Sequence, residues 1–347
     1  MSLGPVMVGL AGAQLLPEEV DMLRHPMVGG VILFTRNYEN PAQLEQLIRA
    51  IHGVRQPRLL VAVDHEGGRV QRFRDGFALL PPAASFGRIY DHDPKRGLRL
   101  AETAGWVMAA ELRAVGVDFS FAPVLDVGHG VSEVIGDRAF HQRPQVVAQL
   151  AHSYMTGMHK AGMAAVGKHY PGHGAVAADT HHSLASDPRD LTDIEVADLT
   201  PFGHLIHAGV EGLMAAHVVY PRVDAQPAGF SAFWLREVLR RRLGFQGVIF
   251  SDDVLMAGAQ VAGDVSDRAQ AALAAGCDMA LICDDFAAIC QSLDHLQRFD
   301  NPTSHLRLAR MHGRKALSRI QLHNDPRWPP ALAALAQCEE ANTLDLL

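Results

Sequence analysis

The chain reads as an α/β protein built as one (β/α)8 barrel, and three observations predict it. Short apolar, β-rich runs recur eight times, helical patterns lie between them, and polar residues gather where the runs end. The runs occupy 6–10, 30–34, 59–63, 117–121, 164–168, 212–217, 247–251 and 278–283. They are nearly continuous in apolar character, which suits parallel strands covered on both faces. Helical patterns fill 41–53, 98–114, 144–161, 193–208, 231–243 and 263–275. Eight strand units in 347 residues fit a closed barrel. An open doubly wound sheet is the rival, but it would carry a glycine-rich phosphate turn after its first strand. Gly9-Leu10-Ala11-Gly12-Ala13 matches that turn poorly.

The strand ends favour the barrel further. Asp64 follows the third run, Asp126 lies shortly after the fourth, Lys168 and His169 close the fifth, His217 the sixth, and Asp252 follows the seventh. In a barrel these ends converge on one face, where active sites are built. No repeat or interdomain linker interrupts the pattern, so 1–325 reads as the catalytic barrel. Residues 326–347, with Pro326, Pro329 and Pro330, read as a tail that wraps the surface or pairs with a neighbour.

Composition narrows the function. With 48% hydrophobic and 20% charged residues the chain can bury a large core. A formal charge of -7 and a pI near 6.2 speak against nucleic acid as a partner. Cys277, Cys283, Cys290 and Cys338 lack paired zinc-type spacing and read as buried thiols of a reducing compartment. The apolar stretch 5–16 has no preceding Lys or Arg, and cleavage there would remove a core strand, so it is not read as a signal peptide. No run spans a membrane. A cytoplasmic enzyme is expected.

The most informative segment is Lys168-His169-Tyr170-Pro171-Gly172-His173-Gly174, followed by Asp179-Thr180-His181. A buried strand delivers Lys168 and His169 into a glycine-rich loop that can move. An Asp two residues before a His can hold one imidazole nitrogen and leave the other free for proton transfer. The histidines also raise metal binding, with His169, His173, His181 and His217 as ligands of a metal-dependent barrel hydrolase. Pro171, Gly172 and Gly174 argue against the helix on which His169 and His173 would share a metal. Asp64-His65-Glu66-Gly67-Gly68-Arg69-Val70-Gln71-Arg72 places many charges directly after a strand, where Asp64 can accept from hydroxyls and Arg72 can donate. In Gly136-Asp137-Arg138 the Arg is more often a structural ion pair than a ligand contact. In Ser251-Asp252-Asp253, strand alternation aims only one carboxylate into a barrel mouth.

Together these motifs resemble glycoside hydrolase family 3, and more closely its single-domain bacterial β-N-acetylglucosaminidases of cell-wall recycling, over about residues 5–320. The resemblance implies that Asp252 is the nucleophile and His181 the acid/base, polarised by Asp179. It implies that Asp64, Arg72, Arg138, Lys168 and His169 bind the terminal N-acetylglucosamine. His65 departs from the Gln common in the family, with an expected effect on loop packing. The implied reaction is retaining exo-hydrolysis of peptidoglycan fragments, N-acetylglucosaminyl-1,6-anhydro-N-acetylmuramic acid with or without peptide, by a cofactor-free monomer or homodimer. Transfer to phosphate, or action on another β-glycoside, is the nearest alternative.

Overall fold

A computed structural model of the chain describes residues 2–177, 185–296, 301–314 and 316–344. Its centre is a ring of eight parallel strands: β1 (Val6–Val8), β2 (Val28–Leu33), β3 (Leu60–Val63), β4 (Phe119–Ser120), β5 (Val166–Tyr170), β6 (Gly212–Ala215), β7 (Val248–Asp253) and β8 (Met279–Ile282). Seven neighbouring pairs are hydrogen-bonded and parallel, in the order β4-β3-β2-β1-β8-β7-β6-β5. The eighth seam closes just beyond β4. There Val166 donates to Ala122, Lys168 to Pro123 and Leu125 to Lys168, and Val124 bridges Lys168 in parallel. Pro123 supplies only a carbonyl, so β4 is shorter than the apolar run 117–121 predicts and its pairing resumes one step on.

Inward-facing rings fill the barrel. Phe119, Phe121 and Phe250 lie with centroids 5.3–5.5 Å apart. Because β4 and β7 are not neighbours, Phe119 and Phe250 can meet only across the interior, so the barrel is a packed core rather than a pore. Helices cover the outside. The predicted pattern 98–114 lies within Pro94–Val115, 144–161 matches Pro144–Lys160, and 263–275 matches Val265–Ala275. Pro94–Val115 and Pro144–Lys160 approach closely through reciprocal glycines. A Cβ on Gly105 would sit 2.0 Å from the Tyr154 carbonyl oxygen, and one on Gly157 2.0 Å from that of Glu102. The pattern 193–208 divides into Leu191–Val196 and Leu199–His207, and 231–243 contains the wider-wound helix Phe233–Arg242.

The end of the barrel opposite the mouth is held by acids that precede alternate strands. Asp118 accepts from Val61 N at 3.0 Å, Glu211 from Ala165 N at 3.0 Å and Asp278 from Ile249 N at 2.9 Å. Each carboxylate therefore satisfies a backbone donor of the preceding strand where the ladder begins. Buried Asp118 and Asp278 also carry arginine partners, Arg58 at 3.0 Å and Arg240 at 2.6 Å. Past residue 325, the helix Trp328–Leu344 packs on Pro94–Val115, with Trp328 edge-on to Trp106 at 6.1 Å.

Candidate active site

At the C-terminal ends of the strands lies a cavity of about 470 Å³, lined by Asp64, Arg72, Arg138, Lys168, His169 and Asp252 among others. Six of the eight sequence-predicted site residues are thus brought to one mouth. Asp179 and His181 lie outside the described residues.

The third strand end builds one wall. Beyond β3 the chain forms a hairpin, His65–Gly67 with Val70–Gln71, and alternation along it sends Asp64 and Glu66 to the cavity and His65 to the other side. His65 is buried, its backbone N–H and carbonyl both paired with the Ser120 hydroxyl at 3.0 Å. Its ring packs on Phe73 and Phe77 at 5.7 and 6.0 Å. Burial, with Arg72 and Arg74 nearby, pushes its pKa down to about 3, so the ring is neutral and acts as an aromatic filler. The expected effect of His65 on loop packing matches this placement.

The other walls converge on Glu66. Lys168 on β5 reaches both Asp64 Oδ1 and Glu66 Oε1 at 2.6 Å. Arg138 donates to Glu66 through Nε at 2.9 Å and Nη2 at 2.8 Å, a two-point clasp that a guanidinium makes well. Burial alone would raise the Glu66 pKa, but Lys168 and Arg138 hold it far below the carboxylate range. Burial would likewise lower Lys168, and the charges of Asp64 and Glu66 keep it raised instead. Glu66, Lys168 and Arg138 are therefore charged at neutral pH. Sequence reasoning gave Glu66 no role, although its spacing of two from Asp64 was the available signal. Arg138, read as either ion pair or ligand contact, makes the ion pair and lines the cavity as well. The Arg72 Nε is buried without a hydrogen-bond partner, and its guanidinium stands 5.8 Å from the Phe34 ring at the rim.

Lys168 and His169 are consecutive yet share the mouth, because the pairing of β5 with β6 shifts register between Lys168 and Tyr170. His169 is oriented by fully buried Asp126, whose Oδ2 lies 2.6 Å from Nδ1. The other Asp126 oxygen accepts from His173 N at 2.7 Å. Burial would raise Asp126, and its pairing with His169 holds it lowered and ionised. One carboxylate thus fixes a cavity histidine and the start of the glycine-rich loop. That start is pinned in two further places: Tyr220 donates to the Gly172 carbonyl, and a Cβ at Gly174 would meet the Val127 carbonyl oxygen at 1.8 Å.

The two carboxylates at the end of β7 have different surroundings. Asp253 accepts from Leu255 N at 3.1 Å and Cys283 N at 3.3 Å, and burial pushes its pKa up to about 6. Asp252 receives the Asp253 N–H on Oδ1 at 2.9 Å, and both residues line the cavity that holds the charged cluster, where strand alternation predicts only one of them. Among the described residues no group of three His, Cys, Asp or Glu side chains is placed to hold a metal ion.

A barrel whose mouth sets acceptors and fixed cations around a sugar-sized cavity, with a carboxylate at the seventh strand end, has the equipment of a glycoside hydrolase. Comparison with known proteins is specific: the family model for the glycosyl hydrolase family 3 N terminal domain matches residues 6–321, and the chain belongs to that family. A beta-hexosaminidase of Thioalkalivibrio sulfidiphilus is 58% identical over 100% of this chain and 99% of its own. One from Methylobacillus flagellatus is 54% identical over 99% and 98%. Among solved structures, NagZ from Neisseria gonorrhoeae in complex with N-trifluoroacetyl-D-glucosamine superposes with a TM-score of 0.92 at 42% identity, covering 97% of this chain and 98% of its own.

Proposed function

We propose that the enzyme is a retaining exo-β-N-acetylglucosaminidase that removes terminal N-acetylglucosamine from peptidoglycan fragments in the cytoplasm. The observation that carries this reading is the single cavity shared by the Asp64–Lys168–Glu66–Arg138 cluster and Asp252. The cluster offers hydroxyl acceptors and donors in fixed positions within a cavity of about 470 Å³, room for a terminal sugar. The relatives named beta-hexosaminidase support an N-acetylated sugar. Four free cysteines, three of them buried, support a reducing compartment.

In this reading Asp252 attacks the anomeric carbon and the glycosidic bond breaks as an ester forms. His181, with Asp179 behind it, gives a proton to the leaving oxygen and later takes one from water. Two displacements at one carbon leave the β configuration. These two roles rest on the sequence motif. Asp64, Lys168, Arg138, Arg72 and His169 hold the sugar, and Asp126 keeps the His169 proton on Nδ1.

The test is hydrolysis of aryl N-acetyl-β-glucosaminide beside the matching glucoside and xyloside, with the anomeric proton followed by NMR. The N-acetylated substrate should be cleaved fastest and release the β-anomer first. A preference for the glucoside would overturn the sugar, and initial α-anomer the mechanism.

A further inference from the structure

We propose that His217 is a positioning residue for Asp252, acting through the peptide unit that joins Asp252 to Asp253. The inference rests on the reading of Asp252 as nucleophile. His217 follows β6 and is completely buried. Its Nε2 lies 3.2 Å from the Asp252 carbonyl oxygen, a contact in which the ring can only donate, so its proton sits on Nε2. The N–H of that same peptide unit donates to Asp252 Oδ1 at 2.9 Å. One peptide plane is therefore held at its oxygen by His217 and itself holds an oxygen of the reacting carboxylate. Rotation of the plane would turn the carboxylate with it.

The surroundings fix the ring against this stretch of backbone, to which Asp253 also contributes. Phe230 stacks on it at 4.8 Å with the planes tilted by 32°. Gly229 brings backbone against it, since a Cβ there would lie 3.2 Å from Nδ1. Nδ1 is buried and has no hydrogen-bond partner, so only the bond from Nε2 and the packing set the ring's orientation. Burial lowers its proton affinity against the pull of the Asp252 charge, which keeps the ring neutral. His217 does not line the cavity. It cannot serve the substrate directly, and its polar contact is spent on the backbone of the nucleophile.

Two variants of the full chain separate positioning from packing. His217→Gln can place an amide donor near the position of Nε2, whereas His217→Leu keeps bulk without a donor. The readouts are the inactivation rate by a 5-fluoro-N-acetylglucosaminyl fluoride, kcat on an aryl N-acetyl-β-glucosaminide, and the inhibition constant of N-acetylglucosamine. Misplacing a reacting group by about 1 Å can cost about 10²-fold, so His217→Leu should slow inactivation and turnover by roughly that factor. Affinity for N-acetylglucosamine should move less than about threefold, and His217→Gln should recover at least about tenfold of the rate with unchanged pH limbs. A His217→Leu rate within about threefold of the parent, or equal losses in both variants, overturns the proposal. Rate losses that merely track lost affinity overturn it as well. Label found on a residue other than Asp252 in the parent enzyme removes the nucleophile assignment, and the two failures are thereby distinguished.

Discussion

Glu66 lines the cavity and gathers the cations around it. It lies between Lys168 and Arg138, and breaking a buried charge cluster by removing one partner typically costs about 3–5 kcal/mol. Glu66→Gln should therefore lower stability markedly and raise KM, measured by thermal unfolding and steady-state kinetics. A variant with parent-like KM would show that the cluster is not needed to shape the sugar site. The pH dependence has a definite sign. The folded pKa of Glu66 is depressed, so its stabilisation is complete above the unfolded value of about 4.3 and is lost as pH falls further. Asp253 behaves oppositely. Its pKa is raised from an ordinary value of about 3.9, so its contribution is complete below that value. That contribution is lost as pH rises through about 6. Asp253→Asn should consequently gain on the parent by roughly 3–6 °C in Tm between acid and neutral pH, and parallel curves would contradict the burial argument. At this scale the sequence was most legible in setting polar residues such as Lys168 and Asp252 at strand ends, which the barrel brings to one mouth. Glu66 and Asp126 received no role, and His217 was read only as a ligand of the rival metal site, because their partners come from distant segments: Arg138, His169 and the Asp252 backbone.

The strands were recognisable because a parallel barrel strand must be apolar on both faces, and that signal survives in a single sequence. Their ends were less so. β4 is cut short by Pro123, and helix 193–208 breaks at Ala197 and Asp198, where Arg189 reaches the Asp198 carboxylate at 2.7 Å. The acids at the foot of alternate strands were also unread, since each makes its bonds to a neighbouring strand. Asp278 is the strongest case: it accepts from Ile249 N, Ser304, Arg240 and Arg307. Asp278→Ala should leave these donors unsatisfied and lower Tm by more than about 5 °C, a loss on the order of 3 kcal/mol. Its KM should stay at the parent value, because the contacts lie at the opposite end of the barrel from the mouth. A change in KM without a change in Tm would show that Asp278 acts on the site and not on the scaffold.

At the scale of the molecule, the barrel carries the site and the C-terminal helix covers part of its outer layer. Trp328, Ala331, Leu335 and Cys338 are buried, with Trp328 against Trp106. We propose that 1–325 is the catalytic unit and that the tail contributes stability alone. Removing 326–347 should lower Tm and expose Trp106 to quenching, while turnover of the aryl substrate at low temperature persists. Loss of turnover in a truncated chain that is still folded would make the tail part of the catalytic unit. Barrel and mouth could both be anticipated because the fold itself decides where strand ends meet. The tail's docking could not, since its apolar positions are informative only once the facing helix is known. The central claim is that this mouth forms a covalent glycosyl intermediate on one carboxylate. Its most direct test is to trap that intermediate with a 5-fluoro-N-acetylglucosaminyl fluoride and map the modified peptide by mass spectrometry. One sugar on Asp252 is the expected result. A label on Asp253, or stoichiometric label elsewhere in the mouth, would contradict it.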